Sequence, residues 1–309
     1  MRKNCENCGK EFNAKRATAK YCSTNCRVKA SAPKPKVVDE HKAKVYDREK
    51  NLQKFIKMGL PQVNWITTGI PDFDALTMIP RGRITQIQGA FGVGKTTLCL
   101  NMIAGLRDKK VFYIDSEASL NPELLVDLEL EPENFHLYNA SAYFEDIAEA
   151  IKSAAQSGQY EMIIFDSLAA CTTRAETEGA VTDRNIGQKA FFMHKLIHMV
   201  QMDLKNNDTA LVIVNQERET IGGYHPDIYT PGGKAVPYAA SLMIRLKTTK
   251  SRRFPAAKQG AKKHMYEGHY VEAEIIKSKV NQPWRKAEFK LYYPQPVGVE
   301  IEEAVEAAF

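Results

Sequence analysis

The sequence contains no apolar run that reaches the roughly 18 residues needed to span a membrane. Its amino terminus, MRKNCENCGK, lacks the apolar stretch of a signal peptide. We therefore expect a cytoplasmic protein with no membrane partner. The 309 residues suffice for about two domains, and a hydrophobic fraction of 44% with a charged fraction of 26% is ordinary for a globular chain.

Acidic residues are scarce at the start of the chain. Residues 1–36 hold ten Lys and Arg side chains but only Glu6 and Glu11, so this segment carries a net charge of +8. The whole chain carries +6, which leaves the remaining residues at −2. A basic segment on a nearly neutral body favours a polyanionic partner for that segment, although a solvated charged tail would have the same composition.

Cysteine is rare outside the amino terminus, where four of the six cysteines are spaced C-x2-C-x13-C-x3-C. Two close pairs at this separation suit tetrahedral zinc, because each pair offers two thiolates to one ion. A segment of this length buries too little apolar surface to fold alone, so the metal would supply folding free energy. Two disulfides or four reduced thiols are the alternatives, and a cytoplasmic setting disfavours disulfides. The predicted zinc ligands are Cys5, Cys8, Cys22 and Cys26.

The composition divides the chain into a zinc module, a linker with a helix, and a large core. Residues 31–36, SAPKPK, have the Pro and Lys content of a linker. Residues 38–58 are charged and nearly free of helix breakers, which predicts a helix that packs on its own domain or on a neighbouring subunit. We therefore predict a zinc module over 1–30, a linker and helix over 31–59, a core over 60–295 and a tail over 296–309.

Strand and helix patterns alternate through the core. Apolar strand patterns occur at 84–88, 111–115, 135–138, 162–166, 211–215, 241–246, 270–277 and 287–292. Helical patterns at 96–107, 143–157 and 186–206 separate the earlier strands, whereas the last strands have no helix between them. This order predicts an α/β fold with a mostly parallel sheet, covered on both faces, and an antiparallel edge. Cys99 and Cys171 lie in apolar segments and are predicted to be core residues.

A glycine-rich phosphate-binding pattern follows the first of these strands. Residues 89–97, GAFGVGKTT, match G-x-x-x-x-G-K-[ST], and strand and helix patterns flank the match as a P-loop requires. The glycines let successive backbone N–H groups point at one anion, and the next helix directs its positive end there. We expect Lys95 to reach the β- and γ-phosphates of ATP, and the Thr96 hydroxyl to bind Mg²⁺. The predicted ATP-binding residues here are Gly89, Gly92, Gly94, Lys95, Thr96 and Thr97.

Two carboxylates follow later strands of the predicted sheet. Asp166 ends the apolar run 162–166 and is the expected second Mg²⁺ ligand, because a carboxylate at the end of a neighbouring strand lies beside the phosphate loop. Glu117 lies just beyond the strand 111–115 and is the candidate for activating the attacking water. A solvated acid at a strand end would account for Glu117 equally well from the residues alone.

Six longer runs extend the pattern over residues 66–293, namely ITTGIPDFDAL, FYIDSEASLNP, IIFDSLAACTTRAETEG, VIVNQERETIGG, PGGKAVPYAAS and IIKSKVNQPWRKAEFKLYY. In their order and spacing these runs resemble the RecA family of bacterial and phage strand-exchange proteins. The resemblance implies a P-loop NTPase with a RecA-like core that binds DNA. The zinc module is an addition to the family pattern.

The resemblance also implies roles for single residues. Glu117 resembles the glutamate that activates water, and Asp166 resembles the Walker B aspartate. Gln216 resembles the glutamine that senses the γ-phosphate and relays the ATP state to a DNA-binding loop. Lys277 and Lys279 resemble a lysine pair that reaches into the ATP site of the adjacent subunit. The resemblance therefore implies an active site that is completed by a second copy of the chain.

Two segments are expected to contact DNA by the same resemblance, namely 176–187 and the Gly-, Pro- and Tyr-rich stretch 217–234. Glycine N–H groups can approach phosphates, arginines add charge, and two isoleucines match places where the family inserts an apolar side chain between bases. The candidate DNA-binding residues are Arg184, Ile186, Arg218, Ile221, Gly222, Gly223, Gly232 and Gly233. A third stretch, 247–264, has seven Lys and Arg and no acid, and it either holds a second DNA strand or forms a solvated hairpin.

The motifs and the resemblance together imply a DNA-dependent ATPase that polymerises on single-stranded DNA as a helical filament. It would promote homologous pairing and strand exchange with double-stranded DNA in recombination or repair. Its expected cofactors are ATP, Mg²⁺ and Zn²⁺. A RecA-core helicase or translocase and an ATP-switched DNA-binding regulator are the alternatives. The chain departs from the family pattern at Asn121, where an aspartate near the adenine is usual, and at Phe191 and His198, where basic residues are usual.

Overall fold

The computed structural model describes residues 1–31, 47–60, 62–106, 108–178, 187–219, 228–255 and 266–292. Backbone contacts divide the chain into two compact units, Met1–Pro61 and Gln62–Phe309. Among the helices in these described ranges, none combines the length and the apolar character that a membrane span requires.

The amino-terminal unit contains a short hairpin and two helices. Strand β1 (Arg2–Asn4) pairs antiparallel with β2 (Glu11–Asn13), and helix α1 (Thr24–Ser31) follows. Helix α2 (Arg48–Lys57) begins after Asp47, which has extended backbone angles and accepts a hydrogen bond from the backbone N–H of Lys50. An aspartate in this position caps a helix and fixes its first turn. The predicted helix over 38–58 is thus present from residue 48, and residues 38–46 lie outside the described ranges.

The second unit is built on a central sheet of eight strands. In chain order the strands of this unit are β3 (Trp65–Ile66), β4 (Ile79–Pro80), β5 (Ile84–Gly89), β6 (Val111–Asp115), β7 (Phe135–Tyr138), β8 (Met162–Asp166), β9 (Ala210–Gln216), β10 (Arg218–Glu219), β11 (Ile228–Tyr229), β12 (Leu242–Pro255), β13 (Tyr266–Ser278) and β14 (Lys286–Tyr292). The order across the sheet is β14-β13-β12-β5-β9-β8-β6-β7. Neighbours from β12 to β7 are parallel, and β13 is antiparallel to both β12 and β14. The predicted mostly parallel sheet with an antiparallel edge is therefore confirmed.

Helices cover both faces of this sheet. They are α3 (Pro71–Leu76), α4 (Lys95–Ala104), α5 (Pro122–Asp127), α6 (Phe144–Ser157), α7 (Arg174–Glu178), α8 (Gln188–Asn206) and α9 (Ala235–Ala239). Successive side chains of a strand point to opposite faces, so Ile164 packs in the cluster with α3 and α4, whereas Ile163 and Phe165 pack with α6 and α8. Full burial of each such side chain stabilises the fold by about 1.5–3 kcal/mol. Cys99 and Cys171 are buried in these two clusters, as predicted.

The predicted strands at 111–115, 135–138 and 162–166 have the same bounds in the structure, whereas the strands of the antiparallel edge are longer than predicted. β12 and β13 continue past the parallel sheet, and the ladder between them ends at the pair Pro255 and Tyr266. Residues 247–253 are basic or polar, so they carry no apolar strand pattern, and pairing with β13 defines this extension. The described part of the basic stretch 247–264 is therefore one arm of a hairpin.

Candidate nucleotide-binding site

The P-loop joins the end of β5 to the start of α4. Gly92 and Gly94 have φ angles of +71° and +97°, a conformation that favours glycine. A Cβ atom at Gly89 would lie 2.6 Å from Leu246 O, and one at Gly94 would lie 2.7 Å from Leu291 Cδ1. Backbone conformation and close packing therefore account for all three glycines of the predicted phosphate loop.

Lys95 is folded against carbonyl groups of the loop that precedes it. Its Nζ atom donates hydrogen bonds to Ala90 O at 2.8 Å and to Gly89 O at 3.2 Å. The residue is only 8% exposed, and this burial lowers the pKa of its ammonium group, while nearby carboxylates, Asp166 first, act in the opposite direction. An ammonium group held at the loop in this way can neutralise the charge of a bound phosphate.

Thr96 and Asp166 meet beside the phosphate loop. The Thr96 hydroxyl donates a hydrogen bond of 2.7 Å to Asp166 Oδ2, and the Tyr113 hydroxyl donates another of 2.7 Å to the same oxygen. Asp166 is 3% exposed, and burial raises the pKa of its carboxyl group, while the two hydroxyl donors oppose that shift. The sequence prediction placed Asp166 on a strand next to the P-loop strand, but β9 lies between β5 and β8. Thr96, in the first turn of α4, reaches Asp166 across the width of β9 and hydrogen-bonds to it.

Two side chains from neighbouring strand ends contact Glu117, the predicted water-activating group. Glu117 follows β6, Ser167 follows β8, and Gln216 ends β9, and these strands are neighbours in the sheet. Glu117 Oε1 accepts hydrogen bonds from Ser167 Oγ at 2.6 Å and from Gln216 Nε2 at 3.3 Å. The two donors orient the Glu117 carboxylate at the carboxyl edge of the sheet, where Lys95 and Thr96 also lie.

Sequence reasoning did not identify Tyr113 and Ser167. Tyr113 is a fully buried strand residue whose hydroxyl needs a partner, and Ser167 directly follows the predicted metal ligand. Both positions were therefore visible in the strand patterns, but their partners lie 53 and 50 residues away in the sequence.

Asn121 caps α5 by accepting a hydrogen bond of 2.7 Å from the backbone N–H of Leu124.

The described part of the second predicted DNA segment, 217–234, includes two short paired strands. β10 pairs antiparallel with β11, and Arg218, an exposed residue, lies opposite Tyr229. Gly232 and Gly233 both have positive φ angles, +88° and +65°. Cβ atoms at these positions would lie 2.6 Å from Leu168 Cδ2 and 2.9 Å from Ala190 Cβ, so close packing accounts for both glycines.

The first predicted DNA segment, 176–187, overlaps helix α7 by three residues. Arg174, at the start of α7, donates to both carboxylate oxygens of Asp146 at 2.6 and 2.7 Å and lies over the Tyr143 ring. On α8 the Nε2 atoms of His194 and His198 are 3.1 Å apart. The candidates that lie outside the described residues are Arg184, Ile186, Ile221, Gly222 and Gly223.

Lys277 and Lys279 lie at the end of β13 and just beyond it, and they converge on the carboxyl end of α9. Lys277 Nζ donates to Pro237 O and, at 3.1 Å, to Tyr238 O. Lys279 Nζ donates to Tyr238 O at 2.9 Å. Partial burial lowers the pKa of Lys277, and the charge of Lys279 lowers it further. Tyr238 is an exposed aromatic residue, so the lysine pair lies beside exposed surface.

The four amino-terminal cysteines form one cluster. The sulfur atoms of Cys8 and Cys22 are 3.6 Å apart, and those of Cys22 and Cys26 are 3.5 Å apart. All four sulfur atoms, including that of Cys5, lie within 4.8 Å of one another. Four zinc–sulfur bonds of about 2.3 Å in a tetrahedron place the sulfur atoms about 3.8 Å apart, so the cluster fits a single zinc ion.

A strand, a glycine-rich loop and a helix at the centre of a mostly parallel sheet, with carboxylates at the ends of other strands on the same edge, define the P-loop NTPase class. The RecA N-terminal domain family matches residues 48–298. Protein RecA of Aquifex aeolicus is 32% identical over 243 residues, which are 76% of this chain and 68% of that protein. Protein RecA of Wolinella succinogenes is 32% identical over 282 residues, which are 86% of this chain and 78% of that protein. The chain belongs to the RecA family.

The solved structures give the same fold. The crystal structure of the RadB recombinase is similar with a TM-score of 0.53 at 19% identity, and the match covers 73% of this chain and 95% of RadB. At this identity the similarity concerns the fold. Membership of the RecA family supports ATP hydrolase activity and a role in DNA recombination or repair at the level of the family.

Proposed function

We propose that the protein is an ATP-dependent DNA recombinase that assembles on single-stranded DNA, pairs it with homologous duplex and exchanges strands. The observation that carries this proposal is the convergence of Lys95, Thr96, Asp166, Glu117 and Gln216 on one edge of a RecA-like sheet. The long family match supports a recombination or repair role for this arrangement.

The phosphate groups of ATP would bind at the P-loop. The ammonium group of Lys95 leaves the carbonyl groups of Gly89 and Ala90 for the β- and γ-phosphates, which are stronger acceptors because they are charged. Thr96 and Asp166 would hold Mg²⁺, and their oxygen atoms are already 2.7 Å apart. Mg²⁺ neutralises phosphate charge, and oxygen donors of this kind are its preferred ligands. The buried Asp166 carboxylate gains a counter-ion when the metal binds.

Glu117 would activate the attacking water. Its carboxylate already accepts hydrogen bonds from Ser167 and Gln216, and one oxygen remains for a water molecule. A carboxylate in this position accepts the water proton as the water oxygen bonds to the γ-phosphorus, and the bond from that phosphorus to the bridging oxygen breaks and releases ADP. The Gln216 amide can donate to the γ-phosphate, and it then releases Glu117, so the presence of ATP changes the contacts at the end of β9.

DNA would bind to the segments 176–187 and 217–234. Gln216 is one residue from the second segment, so a displacement at the γ-phosphate reaches it directly. The exposed Arg218 supplies charge, and the turn at Gly232 and Gly233 supplies backbone N–H groups. Contacts of this kind predict DNA affinity that falls steeply as salt rises. The candidates Arg184, Ile186, Ile221, Gly222 and Gly223 would add contacts from residues outside the described ranges.

Lys277 and Lys279 would complete the ATP site of a neighbouring copy in a helical filament. In the single chain their ammonium groups are held by carbonyl oxygens at the end of α9. A γ-phosphate from the next subunit would be a stronger acceptor than these carbonyl groups. Filament assembly and ATP binding would therefore stabilise one another, and hydrolysis would weaken the contact.

The amino-terminal module would bind one Zn²⁺ through Cys5, Cys8, Cys22 and Cys26, and the cluster geometry supports this proposal. We propose the divisions 1–30, 31–59, 60–295 and 296–309 for the module, the linker and helix, the core and the tail. The basic residues of the module would attract DNA as an additional entry surface. A variant that lacks residues 1–30 should then bind DNA more weakly and with a shallower salt dependence, and an unchanged affinity would contradict this role.

Strand exchange between circular single-stranded DNA and homologous linear duplex tests the proposed function. The proposal predicts joint molecules that require ATP and homology. Unwinding of a forked duplex without homologous DNA would instead indicate a helicase or translocase. ATP-dependent DNA binding with no DNA-stimulated turnover would indicate a DNA-binding regulator.

A further inference from the structure

A row of hydrogen-bonded polar side chains runs from the end of β9 along β5. Glu217, which directly follows Gln216, accepts hydrogen bonds from Gln88 Nε2 at 2.7 Å and from Arg245 Nε at 2.5 Å. The contact with Gln88 connects the end of β9 to its neighbour β5, and the contact with Arg245 connects it to β12, the strand beyond β5. The Glu217 and Arg245 side chains are only 13% and 23% exposed, so solvent screens the pair incompletely.

The row continues along β5 toward Thr230, near the other end of the second predicted DNA segment. Gln86 Nε2 donates to Gln88 Oε1 at 3.1 Å and lies 3.5 Å from Thr230 Oγ1. Gln86 is 0% exposed and Gln88 is 4% exposed. We call the set of Arg245, Glu217, Gln88, Gln86 and Thr230 the polar row.

Two buried amides in the central strand of a sheet are costly for stability. Burial of an amide is unfavourable unless every polar atom finds a partner, and Gln86 Oε1 has none among the described residues. Leucine at either position would suit an ordinary core. Packing therefore does not explain why amides occupy these two positions. Their hydrogen bonds connect the edge of the sheet at the ATP site to Thr230.

A second connection runs parallel to the polar row. Asn215 Nδ2 donates to Pro231 O at 2.9 Å, and Asn215 Oδ1 accepts from the backbone N–H of Gln216 at 3.0 Å. The two residues that flank Gln216 are thus connected to Thr230 and Pro231, which are consecutive. Gly232 follows immediately, so both connections end at the base of the turn proposed to contact DNA.

We propose that the polar row couples the nucleotide state at Gln216 to the position of residues 228–234, and that Glu217 is the positioning residue in this coupling. The inference rests on the proposed function, in which ATP favours the DNA-bound state. When the Gln216 amide turns to a γ-phosphate, the end of β9 shifts, and Glu217 carries the shift through Gln88 and Gln86 to Thr230. Gln88 and Arg245 act by holding Glu217, and none of the three touches ATP.

The test compares DNA affinity with and without nucleotide in the full chain. Anisotropy of a fluorescein-labelled oligothymidine gives the Kd without nucleotide and with a non-hydrolysable ATP analogue, and the ratio of the two is the coupling factor. We expect Gln88→Leu to lower the coupling factor by about tenfold, within the usual range of such couplings. The Kd of a fluorescent ATP analogue without DNA should change by less than about threefold, because the Gln88 side chain hydrogen-bonds to Gln86 and Glu217 and not to a residue of the phosphate loop.

Thr85→Val is the matched control. Thr85 is the buried neighbour of Gln86 in β5, and its hydroxyl has no hydrogen-bond partner within the part of the chain that the structure describes. This variant should keep the coupling factor of the wild type. Glu217→Gln keeps an acceptor oxygen for Gln88 and Arg245 and should retain most of the coupling, whereas Glu217→Leu should lose it. The effects of Gln88→Leu and Glu217→Leu should not be additive when the two are combined, because both variants break the contact between Gln88 and Glu217.

Two results would overturn the inference. A Gln88→Leu protein with the coupling factor of the wild type would show that the polar row carries no coupling, while the proposed function would stand. A wild-type coupling factor of one would contradict the proposed function together with the inference. If Gln88→Leu fails to fold, Thr230→Val removes only the last contact, and the same loss of coupling is expected from it.

Discussion

Gln216 Nε2 donates a hydrogen bond of 3.3 Å to Glu117 Oε1, although the two residues are 99 positions apart in the sequence. They lie at the ends of β9 and β6, on either side of β8, whose following residue Ser167 also donates to Glu117. The proposed γ-phosphate sensor and the proposed water-activating carboxylate are therefore in direct contact. A γ-phosphate that attracts the Gln216 amide would leave Glu117 able to accept a proton.

Glu117→Gln should abolish ATP turnover while ATP binding persists. The amide keeps the size of the side chain but cannot accept a proton, so we expect kcat to fall by about 10²–10⁴-fold. Turnover and the Kd of a fluorescent ATP analogue, measured on the same preparation, check this. Ser167→Ala is the control, since it removes only an orienting hydroxyl and should lower kcat much less. A Glu117→Gln protein with wild-type turnover would refute this role of Glu117.

Asp166→Asn should prevent Mg²⁺ and ATP from raising the melting temperature of the protein. The amide oxygen can still accept the hydrogen bonds from Thr96 and Tyr113, and a neutral group is better tolerated at 3% exposure than an anion. We expect the metal-free melting temperature to stay level or rise, while Mg²⁺ and ATP no longer raise it.

Tyr113→Phe provides the comparison for that experiment. It should lower stability by about 1 kcal/mol through the lost hydrogen bond and keep the response to Mg²⁺ and ATP. Thermal unfolding with and without Mg²⁺ and ATP distinguishes the two variants. An Asp166→Asn protein that Mg²⁺ and ATP stabilise as strongly as the wild type would exclude Asp166 as a metal ligand.

The contacts of Asp146, which lies beside the first predicted DNA segment, should make the free energy of unfolding depend on pH. The Ser141 hydroxyl, and then the Arg174 guanidinium, hold the pKa of the Asp146 carboxyl below its ordinary value. A carboxyl group with a lowered pKa stabilises the fold above its unfolded-state pKa, and this stabilisation is lost as pH falls through the folded-state pKa. The unfolding free energies of the wild type and Asp146→Asn should therefore differ near neutral pH and converge below about pH 4.

Urea unfolding across this pH range measures the difference. Glu149→Gln is the control, because Glu149 lies on the same helix, is more exposed and pairs only with Lys152 among the described residues. Its effect should be small at every pH. A difference between the wild type and Asp146→Asn that stays constant down to the acid end would show that the Asp146 contacts do not favour the ionised form.

The cysteine cluster predicts one zinc ion per chain. Cys8→Ser removes one of four thiolates and should reduce bound zinc well below one equivalent, whereas Cys99→Ser, in the buried core, should leave the zinc content unchanged. Elemental analysis of the purified proteins measures this directly. Full-length protein without zinc, or Cys8→Ser protein that retains a full equivalent, would contradict the assignment.

The fold was predictable from the sequence because its strands are continuous apolar runs. Val111–Asp115 and Met162–Asp166 are bounded by residues that end strands, so their limits were clear. The extensions of β12 and β13 were not predictable, because residues 247–255 carry no apolar alternation and depend on pairing with β13. Local pattern indicates a strand only where that strand also faces the core.

The candidate site was predictable only in part, for a similar reason. The P-loop is a local motif, and Lys95, Thr96 and the glycines could be read from nine consecutive residues. The contacts of Tyr113 with Asp166 and of Gln88 with Glu217 span 53 and 129 residues and exist only because the strand ends meet in the folded sheet. Their residue types were ordinary for strands, so no local signal marked them.

The central claim is that ATP held at the P-loop drives assembly on DNA, and electron microscopy of Lys95→Ala beside the wild type tests it most directly. Lys95 is the cation that the fold holds at the phosphate loop. With single-stranded DNA and a non-hydrolysable ATP analogue, the wild type should form helical filaments, and Lys95→Ala should form none under the same conditions. Filaments of equal length and number from Lys95→Ala would contradict the account.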